Sequence, residues 1–503
     1  MTVLRFAQLP SSCRLCVAAA LASALVAGCA VGPDFKRPAV PAVSGYTEQP
    51  VTTTAATAGV TGGAAQHFAQ GSDVSGDWWT LFHSRPLNDL IEQSLANNAD
   101  LKAAQAALAV ARENALAQRG TYYPSVAASF SASRQRQAGT IAPTPSSNAF
   151  QYNLFTPQVS VSYVPDIFGL NRRTVESVQA QEQSVRFQTI ATQITLSTNV
   201  VAAVVQLAAL QTQVDATREL VDINTRMVKI LREQLAKGYA SGLDLAAQES
   251  QLEQVNATLP PLIKQLAQQR DLLAVLVGRF PDQASIAHFD LDSLQLPEEL
   301  PLSLPSALVA QRPDVLQAEA NLHAASAQVG VAIANRLPNI VLSGNVGSTA
   351  LSMGQLFKSG TEFWAIGADI TAPIFQGGTL LHQERAAKAA YVQAAEQYRS
   401  TVLTAFQNVA DTLAALEQDA AGLKAAAAAT EAARRTLDLS QRQVTAGYAN
   451  YLALLNAEQS YQQARINLVQ AQASRYADTA ALFQALGGGW WNRAELVQDK
   501  NEK

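Results

Sequence analysis

The strongest constraint on this chain is that it is written twice. Asn98-Ala99-Asp100-Leu101 through Tyr123-Pro124 aligns without a gap to Arg312-Pro313-Asp314-Val315 through Leu337-Pro338. Further on, Gly238-Tyr239-Ala240 matches Gly447-Tyr448-Ala449, and in the same register Leu243 meets Leu452, Leu245 meets Leu454, Glu249 meets Glu458 and Gly278 meets Gly487. An offset of about 210 residues is too long for a solenoid unit, so it marks a domain-sized duplication. Whatever one half folds into, the other must fold into as well.

Each half carries the same order of signals. A helical pattern, about Ala99 to Arg119 in the first half, ends at a proline. Two alternating stretches follow. Val126, Ala128, Phe130 and Ala132 alternate with Ala127, Ser129, Ser131 and Ser133, and Val159, Val161 and Tyr163 alternate with Ser160 and Ser162. In the second half Ile340 and Leu342 open one strand, and Trp364, Ile366, Ala368 and Ile370 alternate with Ala365, Gly367, Asp369 and Thr371 in the other. Period two, with one apolar face and one small or polar face, is the pattern of a membrane barrel wall. Between the paired strands, Arg134 to Thr156 and Gly347 to Glu362 are rich in Ser, Gly and Pro and read as exposed loops. A turn, Pro165 to Gly169 or Pro373 to Gly377, then opens a very long helical pattern, about Arg172 to Lys237 and Leu380 to Ala446. Each would span roughly 100 Å. After a glycine turn a second helix returns. Val214, Val221, Val228 and Leu235 fall seven apart. Leu252, Val255, Leu259, Leu262 and Leu266 step by three and four, as do Ile466, Val469, Ala473, Tyr476, Ala480 and Phe483. This is coiled-coil spacing. Pro260-Pro261 interrupts the first return helix, where each proline costs about 3 kcal/mol, so a kink or local break is expected there. Val469 and Gln470 stand at the matching positions, so the two hairpins should differ.

The N-terminus points to export. Arg5 and Arg14 precede an apolar run from Cys16 to Ala27, a signal-peptide pattern too short for a spanning helix. It closes on Leu25-Val26-Ala27-Gly28-Cys29, which resembles a bacterial lipobox and makes Cys29 the expected site of lipid attachment. The alternative is a signal peptide that merely contains a cysteine. Ala30 follows; an aspartate there would have resembled an inner-membrane retention signal, so the outer membrane is favoured. Cys13 and Cys16 leave with the signal, and Cys29 alone forms no intramolecular disulfide. No later run reaches about 18 apolar residues, so a membrane crossing must be a β-barrel. Four strands cannot close such a barrel, since about eight are needed; three copies supply twelve, and twelve helix segments with them. The expected fold class is therefore mixed α/β and mainly helical, with three copies supplying the strands of one outer-membrane β-barrel.

Charged residues make up 15 % of the chain, with a net charge of −4, which gives nucleic acid no basic stripe to bind. The histidines, His67, His83, His288, His323 and His382, are scattered, with no HExxH or other close ligand pair. There is no phosphate-binding loop, no GxSxG and no cysteine nucleophile, and Gly487-Gly488-Gly489 follows a helix instead of a strand. No enzyme activity, metal or cofactor is expected beyond the covalent lipid.

The chain resembles the TolC-like outer-membrane factors, in particular the NodT-type lipoprotein branch that serves resistance–nodulation–division efflux systems. The residues that carry the likeness are Cys29 with Val31-Gly32-Pro33-Asp34-Phe35-Lys36-Arg37-Pro38, Trp78-Trp79 with Leu81-Phe82, Asn98 with Asp100-Leu101, Asp166-Ile167-Phe168-Gly169, Arg312-Pro313-Asp314-Val315, and Ala485 to Trp490. Any one is weak; the ordered set, spread over nearly the whole mature chain, is specific. The resemblance implies an exit duct for small molecules such as drugs, working with a periplasmic adaptor and an inner-membrane transporter. The alternative is a duct for a type I protein-export system. It also implies a homotrimer with a twelve-stranded barrel, a twelve-helix tunnel and an equatorial belt, here Arg279 to Ala310 with the C-terminal tail. The expected division is 1–28 signal peptide, 29–85 lipid-anchored segment, 86–278 first repeat, 279–304 equatorial linker, 305–487 second repeat and 488–503 tail. The two helix turns become periplasmic tips, with Gly238, Tyr239, Leu245, Glu249, Gly447, Tyr448, Leu454 and Glu458 bordering adaptor grooves. Relatives of this branch place an aspartate where Ala449 stands, so Leu437 and Asp438, about two and a half turns earlier, are taken as gate candidates. Core packing is expected for Trp78, Trp79, Trp490 and Trp491.

Overall fold

A computed structural model describes residues 30–43, 45–136, 151–283, 286–448 and 451–497. In chain order the main elements are β1 (His67–Gln70), α1 (Arg85–Asn97), α2 (Ala99–Arg119), β2 (Ser125–Arg136), β3 (Gln151–Tyr163), α3 (Leu170–Ala236), α4 (Gly242–Leu276), β4 (Glu299–Leu302), α5 (Pro305–Gln311), α6 (Pro313–Ala334), β5 (Asn339–Ser348), β6 (Glu362–Thr371), α7 (Thr379–Thr445), α8 (Tyr451–Ala485) and α9 (Ala494–Val497). The duplication is visible in element lengths: α3 and α7 each have 67 residues, and α4 and α8 each have 35. The chain forms two compact units, and each draws on both halves. Of the described residues, one takes those within 30–37, 109–184 and 318–397, and the other those within 38–108, 185–317 and 398–497.

In the first unit the strands form one antiparallel sheet in the order β2-β3-β5-β6. The register aligns Val126 with Val161, Ala128 with Val159, Val159 with Val346, Leu342 with Ala368, and Gly344 with Ile366. Paired residues point to the same side, so one face collects Val126, Val159, Val161, Leu342, Val346, Trp364, Ile366 and Ile370. The other face collects Ser129, Ser160, Ser162, Ser343, Asn345 and Asp369 by the same pairing. Helix α3 leaves the sheet through a turn in which the Asp166 carboxylate accepts from the backbone N–H groups of Asn171 (3.0 Å) and Arg172 (2.8 Å). A carboxylate there satisfies donors that a helix N-terminus leaves free and suits its positive dipole end.

In the second unit the coiled-coil seams supply the core. Val214, Val228, Val255, Leu266, Tyr476, Ala480 and Phe483 are all buried. Leu235, the last member of the first seam, is 37 % exposed, so within the protomer that seam fades toward the turn. The apolar stretch of α3 around Val200, Val201, Val204 and Leu210 is packed inside the unit. Trp78 and Phe82 are fully buried, with Trp78 stacked on Phe483 at 5.0 Å. Trp79 is also buried, whereas Trp490 and Trp491 are half-buried and turn their ring N–H groups to Gln311 O (2.7 Å) and Asp73 (2.8 Å). β1 and β4 pair in parallel, a contact the sequence did not announce.

The break expected at Pro260-Pro261 is absent: α4 runs unbroken from Gly242 to Leu276 with both prolines inside it. The reason is exposure. Both prolines lie on the solvent side, where the carbonyls of Asn256 and Ala257, which lose their N–H partners, belong to residues that are not buried.

Candidate functional site

Three features of the chain bear on function: the strand face, the segment that follows Cys29, and the two helix turns. The apolar side of the sheet is largely uncovered among the described residues. Val126 is 68 % exposed, Trp364 75 % and Ile366 83 %. The sheet also ends on two edges, β2 and β6, with no strand beside them among the described residues. A long open edge next to an uncovered apolar face is a hazard in water, and closed barrels in lipid remove both problems.

Cys29 lies outside the described residues. The segment immediately after it is held by a dense set of contacts within the first unit. Val31 N donates to Phe168 O at 3.1 Å. The Arg173 guanidinium, 5 % exposed, donates to Val31 O (3.1 Å), Asp34 (2.7 Å) and Glu176 (2.8 Å). Those two carboxylates hold the guanidinium charged against the cost of its burial, and its pKa rises. Glu176 also pairs with His323 at 2.9 Å, and the His323 ring stacks on Phe35 at 4.3 Å. Arg37 reaches Glu319 at 2.9 Å. Gly32 adopts φ +96° and crosses Gly330 so closely that a Cβ on Gly32 would collide with the Gly330 backbone. The Val31-to-Arg37 run, readable from sequence only as part of a resemblance, thus acts as a tether fastened to α3 and α6.

The helix turns are built from glycine and a cap. Gly238 and Gly447 take φ of +77° and +78°, the left-handed conformation that ends a helix. Ser241 then starts α4 with a reciprocal capping box: its hydroxyl accepts from Asp244 N, and the Asp244 carboxylate accepts from Ser241 N. Tyr239 and Tyr448 are 81 % and 87 % exposed. Ala449 and Asn450 lie outside the described residues.

The sequence profile of the outer membrane efflux protein family matches residues 90–279 and 304–488. The chain belongs to that family. The toluene efflux pump outer membrane protein TtgC of Pseudomonas putida is 30 % identical over 94 % of this chain and 95 % of its own length. Outer membrane protein OprJ of Pseudomonas aeruginosa is 27 % identical over 96 % and 97 %. Among solved structures, the outer-membrane channel OprN superposes with a TM-score of 0.80 at 26 % identity, covering 92 % of this chain and 100 % of its own. The open state of the Neisseria gonorrhoeae MtrE outer membrane channel gives 0.77 at 26 % identity, over 92 % and 99 %. This outer membrane efflux protein is thus an outer-membrane channel of an efflux pump, and the family is one of channels, not enzymes.

In this efflux protein the expected tip residues separate into two groups. Leu245 and Glu249 are half-buried, and Glu249 pairs with Arg232 across the first hairpin at 2.7 Å. Leu454 and Glu458 are 1 % and 2 % exposed. Their side chains point into the protomer, so they do not border an outer groove, which corrects that expectation. The cause is the packing of α8 against the first hairpin, where Tyr451 donates to Gln234 (2.5 Å) and Gln459 to Gln251 (2.7 Å). Both carboxylate oxygens of Glu458 lack a hydrogen-bond partner, and burial pushes its carboxyl up to about 7. Leu243 and Leu452, by contrast, stay 79 % and 55 % exposed beside the turns. Their place in the repeat register and off the buried seam was the signal that they are surface residues. Asp438 is exposed and pairs with Arg442 at 2.8 Å, while Leu437 is half-buried.

Sequence reasoning also missed two devices that lock the hairpins. Asn98 bonds Leu101 N (3.0 Å) through its oxygen and donates its amide to Leu276 O, the last residue of α4 (3.1 Å). Arg312, at the equivalent position of the second half, donates to Ala485 O, the last residue of α8 (2.7 Å), and pairs with Asp314. Both halves therefore cap the end of the return helix from the residue that precedes α2 or α6 in the same half, with different residues in the same role. Arg475, fully buried, donates to Gly62 O (2.8 Å), Ala64 O (2.6 Å) and Thr54 (2.9 Å), fastening the 54–64 segment to α8.

Proposed function

We propose that three copies of this efflux protein close into one duct, a twelve-stranded outer-membrane barrel continuous with a twelve-helix periplasmic tunnel. The observation that carries this reading is the four-stranded sheet with one uncovered apolar face and two open edges. β2 and β6 run antiparallel to each other in that order, so β6 of one copy can continue the ladder with β2 of the next, and closure removes every edge. The apolar face then meets lipid and the Ser- and Asn-rich face lines water.

The linear scheme of signal peptide 1–28, anchored segment 29–85, repeats 86–278 and 305–487, linker 279–304 and tail 488–503 belongs to the same proposal, as do diacylglyceryl attachment at Cys29 and a lipid-anchored outer-membrane location. The N-terminal dock around Arg173 supports the anchor, because it fixes the mature chain's first described residues beside the turn that leaves the strands. The partners are a periplasmic adaptor and an inner-membrane resistance–nodulation–division transporter, and the cargo is small toxic molecules, as the toluene and antibiotic pumps among its relatives suggest. Adaptor contact falls to Gly238, Tyr239, Leu245, Glu249, Gly447 and Tyr448, with exposed Leu243 and Leu452 added. Leu437 and Asp438 remain the gate candidates; a threefold ring of Asp438 would repel itself and attract cations.

Energised efflux of a fluorescent dye, from cells lacking this protein and other outer-membrane factors, tests the reading. Complementation should restore efflux. A trimer present in the outer membrane without restored efflux would shift the assignment to a type I protein-export duct.

A further inference from the structure

The loop between β5 and β6, residues 349–361, holds an aromatic residue in a backbone conformation that bulky side chains seldom adopt. Among the described residues only His83 and Phe357 take positive φ without being glycine, and Phe357 does so at φ +65° while 73 % exposed. Its side chain buries little, so packing within the protomer does not offset the strained backbone.

The sheet imposes the conformation. Phe357 N donates to the Ser348 hydroxyl at 3.1 Å, and that hydroxyl donates to Thr361 Oγ1 at 2.8 Å. Thr349 N donates to Thr361 O at 2.8 Å, and Ala350 exchanges both backbone bonds with Phe155 of β3, at 3.0 and 2.9 Å. Ser348 lies two residues beyond Val346 on β5, so its side chain stands on the same face as Val346, the apolar one. The loop therefore folds back over that face, and Ser348 beneath it is 1 % exposed.

Height along the strands gives the loop its meaning. Ile340 pairs with Ile370 near the helix end of the sheet, and Ser348 pairs with Glu362 at the far end. Those rows are about 27 Å apart along the strands. At a tilt of 35–45° this is roughly 19–22 Å along the membrane normal, inside an apolar band about 25 Å tall. Phe357, bonded at the Ser348 row, thus continues the exposed run of Ile370, Ile366 and Trp364 toward the outer border of that band. Closing a barrel through the β2 and β6 edges leaves this face outward, so a neighbouring copy does not cover it.

We propose that Phe357 is a built membrane contact: the β5–β6 loop lies on the outer wall of the barrel and sets this side chain among the acyl chains of the outer leaflet. The inference rests on the reading of the apolar strand face as the lipid face of a barrel. Lipid is the occupant that repays an exposed ring held in place by a strained backbone, because transfer of apolar surface out of water is gained only once the membrane is present.

The test uses the full-length protein reconstituted in vesicles of phosphatidylethanolamine and phosphatidylglycerol that carry an alkyne on one acyl chain. A photoreactive benzophenone residue replaces Phe357, Ile366 on the strand face, or Tyr239 at the exposed α3–α4 turn. After irradiation the protein is digested, and lipid adducts are read on the peptide that holds each position. Adducts at Phe357 should match those at Ile366 and exceed those at Tyr239 several-fold. Adducts at Ile366 with only the Tyr239 level at Phe357, or with a covalent dimer through Phe357 in place of lipid, overturn the membrane contact and leave the lipid-facing strands standing. Absence of adducts at Ile366 overturns both readings.

Discussion

At the scale of single residues, the duplication preserves roles more faithfully than identities. Asn98 and Arg312 differ in size and charge, yet each holds the last carbonyl of its half's return helix. Arg312 is buried and its bonds are charge-assisted, so Arg312→Ala should cost about 2–3 kcal/mol, against about 1 kcal/mol for Asn98→Ala. Thermal melts of the detergent-solubilised protein would rank the two. Glu458 has no hydrogen-bond partner among the described residues and is buried on a helix whose other buried positions are mostly apolar. Its carboxyl ionises near 4.5 in the unfolded chain and only near 7 in the fold. The unfolded state therefore sheds its proton first, so stability is greatest below the lower value. It falls as pH rises between the two and then levels off, by roughly 3 kcal/mol in all. Glu458→Gln should flatten that slope and stabilise the protein at pH 8. Melts at pH 5 and pH 8 for both forms decide it; an unchanged slope would show that Glu458 is not the group responsible.

At the scale of elements, the helical hairpins tolerate what the strands do not. Two consecutive prolines sit inside α4 without ending it, on its exposed side. Pro260→Val with Pro261→Gln, the residues found at the matching positions of α8, should restore the two backbone bonds and raise the melting temperature without loss of efflux. The strands have a sided chemistry set by register. A lysine at Ile366, on the uncovered apolar face, should cost about 2–4 kcal/mol in the membrane and deplete assembled protein from the outer-membrane fraction. A lysine at Ser343, whose partner is Gly367 on the opposite face, should be tolerated. Equal recovery of both variants would mean that the faces have been assigned wrongly.

At the scale of the whole molecule, the proposed duct requires more than one copy of the chain. The open sheet edges call for neighbouring copies, and the exposed turns with Tyr239 and Tyr448 call for a partner. At the candidate gate, Asp438 pairs with Arg442 at 2.8 Å within one helix, which offsets part of the charge a threefold ring would present. Single-channel recordings of Asp438→Ala in a planar bilayer should show higher conductance and reduced cation preference. Unchanged recordings would move the gate elsewhere.

What the sequence determined by itself was everything written locally. Period-two alternation placed the strands, period-seven and three-four spacing placed the long helices, and glycines marked their turns to within a few residues. Repetition at an offset of about 210 residues then required two equivalent halves. These signals are legible because each depends only on which face of its own element a residue occupies. Tertiary structure decided what depends on other elements. β1 and β4 are four residues long, too short for alternation to speak, and about 230 residues apart in sequence. Glu458 looked like a surface acid because it aligns with Glu249, and only the packing of α8 on the first hairpin turned it inward. The Val31-to-Arg37 dock is a set of contacts with α3 and α6, residues more than a hundred positions away. A run of seven residues cannot specify such partners; the fold brings them there.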